Sequence, residues 1–98
     1  MIKQFMRYDF NREPFGVMFA DVFNGVIRVG WSVVHDNDHF VNHLGSMIAM
    51  NRLKKEEDVL VVPEIAIGYI EEFIERAKRQ LNAPFNLVIK SGYHNPPE

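Results

Sequence analysis

Ninety-eight residues, 47% apolar and 12% aromatic, suffice for one cored domain, because chains above roughly 60 residues usually fold without staples. The lack of cysteine excludes disulfides, thiolate zinc sites and a cysteine nucleophile, and suits a reducing compartment. Eleven Lys+Arg against thirteen Asp+Glu give a formal charge of −2, without the basic surface that phosphate neutralisation needs, so no duplex nucleic acid is expected as a partner.

The first stretch, MIKQFMRYDF, spaces its charges too closely for the apolar core of a signal peptide. No later run approaches the ~20 apolar residues of a membrane span, so no membrane partner is expected and the chain is placed in the cytoplasm. Residues 2 to 8 are expected to add a strand to the ribbon that follows, with Asn11-Arg12-Glu13-Pro14 as the turn.

FGVMFADVFNGVIRVGWSVV, residues 15 to 34, is two β-rich runs around Asn24-Gly25, the dipeptide that best tolerates the positive φ angles of a type I′ hairpin turn. A two-residue turn pairs Phe23 with Val26, Val22 with Ile27, Asp21 with Arg28, Ala20 with Val29 and Met18 with Trp31. One face then carries Met18, Ala20, Val22, Ile27, Val29, Trp31 and Val33 and should be core. The other sets Asp21 opposite Arg28 as a cross-strand ion pair among Phe19, Phe23 and Val26, and needs a further layer or a partner to cover it.

HDNDHFVNH, residues 35 to 43, spaces His35, His39 and His43 at four-residue intervals. A helix beginning near His39 would put His39 and His43 on one face, with His35 and Asp36 or Asp38 completing a nitrogen/oxygen shell for a metal. The preferred reading is a helix start, since Asp36, Asn37 and Asp38 are competing N-caps ahead of a helical repeat of Phe40, Leu44, Met47, Ile48 and Asn51. Helix one is expected over roughly 39 to 53, closed by Arg52, Lys54 and Lys55 at the negative end of its dipole. Gly45 inside it costs about 1 kcal/mol relative to alanine and calls for something bulky against the bare backbone, for which Trp31 is the candidate.

Val59–Val62 is a buried strand candidate, and Pro63 suits the first turn of helix two, which runs to about Leu81. Its stripe is Ile67, Ile70, Phe73, Ile74, Ala77 and Leu81, with Glu72/Arg76 and Glu75/Arg79 as i,i+4 pairs on the wet side. Asn82-Ala83-Pro84 ends it, Phe85 to Lys90 alternates as a last strand, and SGYHNPPE reads as a loose tail. The expectation is a single α+β domain over 1–90 and a flexible tail over 91–98. Its order is β-β-β-α-β-α-β, an antiparallel hairpin or meander sheet with both helices packed on one face.

Catalytic signals are few. Ser32 has no G-x-S-x-G elbow, and nothing sets His35 as its base. No glycine pattern cradles a phosphate, and no cofactor is implied. Arg52, at the edge of the apolar stripe beside Asn51, is suited either to clamp a carboxylate or phosphate or to pair internally with Asp38, Asp21 or Asp58, the internal pair being preferred. Arg28 and Trp31 point to opposite faces of one strand, so only a pocket between subunits is expected to combine them.

The segments RVGWSVVHDNDHFVNHLGSMIAMNRL and VVPEIAIGYIEEFIERAKRQL resemble a group of small tailed-bacteriophage accessory proteins. The shared pattern is V-G-W-S, then D-x-F, then G-x-x-I-A-x-x-R, then a proline-led helix of the F-I-x-R-x-x-R type. It falls on Val29 to Ser32, Asp38, Phe40, Gly45, Ile48, Ala49, Arg52, Pro63, Phe73, Ile74, Arg76 and Arg79, covering about half the chain. Val34 stands where the group often has cysteine, and Asn42 and His43 where it has lysines, which leaves a thiol or a basic helix start without a counterpart.

The resemblance implies a non-enzymatic accessory protein acting in the host cytoplasm, and it implies no reaction. Some phage proteins of this size and strand–helix organisation are oligomeric sponges for cyclic-nucleotide or cyclic ADP-ribose immune signals. By that analogy the expected partners are an anionic nucleotide-like molecule or a host protein, met by a homo-oligomer. The ligand residues expected are Arg28, Trp31, Asn51 and Arg52, with the amides at the start of helix one as an anion site. The alternatives are a metal-dependent enzyme on His35, His39 and His43, or a structural factor without a ligand.

Overall fold

A computed structural model describes residues 1–34 and 39–92. The class and element order are those expected: β1 (Ile2–Arg7), β2 (Pro14–Phe23), β3 (Val26–Val33), α1 (Asn42–Leu53), β4 (Val59–Val62), α2 (Ile67–Leu81) and β5 (Val88–Ser91). The first three strands form an antiparallel sheet in the order β1-β2-β3, and β4 pairs with β5 in a small parallel sheet. A 3₁₀ turn over Glu64–Ala66, entered from Pro63, leads into α2.

Asn24 (φ 51°) and Gly25 (φ 81°) both take the positive φ of a type I′ turn, and all five predicted hairpin pairs are present. Met18, Ala20, Ile27, Val29 and Trp31 are buried on one face, Trp31 to 2% exposure, while Val22 near the hairpin tip is exposed. On β1, Ile2, Gln4 and Met6 share that face through their register with Ala20, Met18 and Gly16. This face meets Ile70, Phe73, Ile74 and Ala77 of α2, together with Leu60 and Val62 of β4. Arg76 of α2 donates to the Gln4 side chain across the same layer. The stripe read for α2 therefore faces the core as expected, and the helix ends at Asn82 in a left-handed conformation (φ 50°).

The helices do not share a face of the sheet. Phe5, Val17, Phe19 and Phe23 on the opposite side gather with Phe40, Ala49, Met50 and Leu53, so α1 covers the half-apolar outer face of the ribbon. The reason lies in two thin surfaces. Gly30 stands opposite Phe19 on β3, and a Cβ built on it would lie 2.6 Å from the Leu53 amide nitrogen, so the backbone of α1 rests on the strand. The helix turns its smallest residues, Gly45 and Ala49, inward with Leu53. Leu44, Met47 and Ile48, the large apolar residues of the helical repeat, face outward. A sheet covered on both faces needs apolar residues at successive positions, which is how Val17, Met18, Phe19 and Ala20 are all buried.

Three local expectations change with this placement. Helix one starts at Asn42 after Val41, without a side-chain cap, and the proposed caps Asp36, Asn37 and Asp38 lie outside the described residues. The bulky group against Gly45 is Phe40, whose ring would stand 2.6 Å from a Cβ there, whereas Trp31 is on the far face of the sheet. The last strand is Val88–Ser91 and runs parallel to β4, three residues later than its alternating pattern begins.

Candidate functional site

A groove of about 710 Å³ runs along the outer edge of β3. Its floor is the strand itself, from Val26 to Val29 and Trp31. One wall is Arg52 and the connection carrying Lys55, Glu56, Glu57 and Asp58; the other is Leu60 and Val61 of β4 with Asn86 and Leu87.

Arg28 and Trp31 both line this groove, although their side chains leave β3 on opposite faces. Sequence reasoning assigned their combination to two subunits; one subunit achieves it because β3 is an edge strand, and the groove wraps around that edge. Arg52 comes from α1 on one side of the sheet and reaches Trp31 on the other. Its guanidinium carbon lies 4.0 Å from the indole centroid, and its Nη1 donates to the Trp31 carbonyl at 2.9 Å. Asn51, expected beside Arg52 in the site, is exposed and does not line the groove.

Asp21 and Arg28 are opposite in the register, as predicted, but they are not each other's ionic partners. Arg28 donates to the Lys54 carbonyl (3.1 Å) and to Glu56 (3.0 Å), with its guanidinium carbon 4.5 Å from the Phe23 ring centroid. Asp21 receives the N-terminal ammonium at 3.5 Å and the Val22 amide at 2.9 Å. The chain carries Arg28 toward the C-terminal end of α1, where a carbonyl and a carboxylate together hold a guanidinium more closely than one surface aspartate does.

Electrostatically the groove is balanced. Arg28, Arg52 and Lys55 face Glu56, Glu57 and Asp58. The backbone is less evenly matched. The hairpin register points the N–H and C=O groups of Val26, Arg28, Gly30 and Ser32 at β2, and those of Ile27, Val29, Trp31 and Val33 outward. Among the described residues the Ile27 N–H donates to Pro84 at 2.8 Å, and the Trp31 carbonyl accepts from Arg52. Val29 lies between them with its N–H and C=O aimed into the groove.

The histidine cluster divides. His39 and His43 are exposed, and His39 precedes α1 instead of opening it; His35 lies outside the described residues. Among the described residues no three His, Asp or Glu side chains converge as a metal set. Ser32 is buried on β3. Among those residues, too, no helix is long and apolar enough to cross a membrane.

Sequence reasoning missed the acidic connection Glu56–Asp58 and the segment around Asn86 as walls of a site. The signal available was that strand candidates at 59–62 and 85–90 flank a helix, which implies a parallel pair whose placement beside an edge strand leaves a cleft. Comparisons of the chain with protein-family models, with curated proteins and with solved structures returned no match.

Proposed function

We propose that this chain is a non-enzymatic binding protein that occupies a host protein by taking an extended segment of it along the outer edge of β3. The observation carrying this reading is the outward backbone of Val29 on the floor of the groove, at the outer edge of β3 between Ile27 and Trp31. Strand edges offer donors and acceptors in the spacing an added strand requires, and such additions take affinity from the main chain and selectivity from side-chain pockets. The balanced rim of Arg28, Arg52, Lys55, Glu56, Glu57 and Asp58 suits a peptide of mixed charge better than a polyanion. The resemblance to phage accessory proteins supplies the setting, action on a host function in the host cytoplasm.

A display library of random linear peptides, selected on the intact protein, tests the reading. The selected peptides are expected to protect the Val29 amide from hydrogen exchange. N-methylation at alternate peptide positions is expected to weaken them at least about tenfold, since each blocked donor removes a main-chain bond. Failure to select any peptide, or binding indifferent to N-methylation and without protection in 27–33, overturns it.

A second reading, sequestration of a nucleotide-like anion, is favoured by one observation: two guanidiniums and an indole meet in the groove. It requires an anion to displace Glu56 from Arg28. Native mass spectrometry of protein purified from infected or defence-active cells tests it. A co-purifying nucleotide mass, lost in a folded Arg52→Ala variant, would favour this reading over the peptide one.

A further inference from the structure

The sheet has a second edge, at β1, and this one is cationic. The register that turns Val17, Phe19 and Asp21 toward β3 turns Gly16, Met18 and Ala20 toward Met6, Gln4 and Ile2 of β1. The N–H and C=O groups of Lys3 and Phe5 therefore point away from the sheet, and among the described residues none of the four is hydrogen-bonded. Tyr69 closes the row by donating to the Arg7 carbonyl at 2.9 Å.

Three cations surround this edge, and among the described residues none of them is paired with a carboxylate. The Lys3 ammonium donates to the Asn42 amide oxygen at 3.1 Å and lies 4.9 Å from the Phe5 ring centroid. The Arg7 guanidinium carbon is 5.3 Å from the same ring, and its Nη1 donates to the Arg12 carbonyl. On the other face of the sheet, Arg76 of α2 donates to the Gln4 side chain; Glu72, read as its i,i+4 partner, is exposed and not ion-paired with it. The N-terminal ammonium, Arg28 and Lys78 each have a carboxylate, so the cations without one gather at β1.

We infer that the outer edge of β1 receives an acidic extended segment of another protein as a fourth strand of the sheet. The open main chain sets the extended form, and the cations set the charge. Residues directly opposite Lys3 and Arg7 are then Glu or Asp, and the residue between them, opposite Phe5, is apolar, since cross-strand neighbours on one face touch. A second copy of this chain does not fit. Antiparallel pairing of β1 with itself about Phe5 sets Lys3 against the other copy's Arg7, and parallel pairing in register sets each cation beside its like. A nucleic-acid strand matches less well, because the outward carbonyls of Lys3 and Phe5 need donors and phosphate oxygens only accept. Edge lysines often guard a strand against pairing. Here Lys3 leans inward over the sheet, its ammonium 5.5 Å from the ring centroid of Phe19 on β2, and leaves the edge open. The inference rests on β1 and is independent of the occupant of the groove at β3.

Titration and hydrogen exchange of the full chain, both read by amide NMR, test it with a synthetic peptide that has Glu-Thr-Phe-Thr-Glu at its centre. The peptide is expected to protect the Lys3 and Phe5 amides, and to bind at least about tenfold more tightly than its Lys-Thr-Phe-Thr-Lys counterpart. Lys3→Glu, at an exposed position, should keep the circular dichroism of the wild type and abolish that preference. No binding of the acidic peptide, equal binding of the two peptides, protection confined to Val29, or a preference that survives Lys3→Glu overturns the inference. So does a thymidine oligonucleotide that binds more tightly than the acidic peptide and is released by the same substitution.

Discussion

Arg52 lies over the face of Trp31 from the opposite side of the sheet, 4.0 Å from ring centroid to guanidinium carbon, and donates to the carbonyl of the same residue. One side chain thereby fastens α1 to the edge of β3 and closes one end of the groove. Removing it takes away a charge-assisted hydrogen bond and a stacked cation together. Arg52→Ala is expected to lower stability by about 2 kcal/mol, and Arg52→Lys by less, since an ammonium keeps the charge without the planar fork. Urea titration followed by the emission of the only tryptophan reads this directly. An Arg52→Ala variant as stable as the wild type would mean the stacking contributes nothing.

Gly30 carries a different load. A methyl at this position enters the space of the Leu53 backbone, which cannot swing aside as a side-chain tip can. Gly30→Ala should destabilise by about 1–3 kcal/mol even though alanine suits a strand no worse than glycine does, and Gly30→Val by more. Thermal unfolding of the two variants against the wild type checks the order.

Phe40 and Gly45 should behave as a pair. Replacing Gly45 by Ala in a helix ordinarily gains about 1 kcal/mol, but here the new methyl meets the Phe40 ring, which also packs edge-on against Phe5 at 5.9 Å between centroids. In a Phe40→Ala background the helix gain should reappear. A double-mutant cycle is expected to give a coupling of at least about 0.5 kcal/mol. Strict additivity would show that the ring and the glycine do not share their space.

The ion pair of Arg28 with Glu56 divides unequally between its members. Glu56 is 80% exposed and Arg28 18%, so Glu56→Gln should change stability by no more than about 0.5 kcal/mol, as screened surface pairs do. Arg28→Ala also loses the Lys54 carbonyl and the Phe23 ring, and should cost about 1 kcal/mol or more. The same two variants separate the proposed ligands. Loss of Glu56 should strengthen an anion and leave the main-chain pairing of a peptide nearly unchanged.

Local chemistry determined much of this molecule before any tertiary contact. Asn24-Gly25 dictates a turn in which both residues take positive φ, and once that turn closes, the side-chain period of two assigns every hairpin residue to a face. The α2 stripe was equally legible, because its apolar residues are large, its opposite side is charged, and both repeat at 3.6 residues.

Helix α1 was not legible in the same way. The size of a side chain suggests that Leu44, Met47 and Ile48 are core, yet the helix buries Gly45 and Ala49, because the surface it meets has a bare backbone at Gly30 and large rings on either side. Which face of a helix is inward depends on the shape of the layer it meets, and that shape exists only once β2 and β3 have paired. The groove depends on the same order of events. Arg28, Trp31 and Arg52 leave their elements in different directions, and they converge because the sheet ends at β3 and α1 crosses that end. Periodicity assigns a residue to one side of its own strand or helix; where a sheet stops, and what reaches round its edge, is decided by the packing of distant segments.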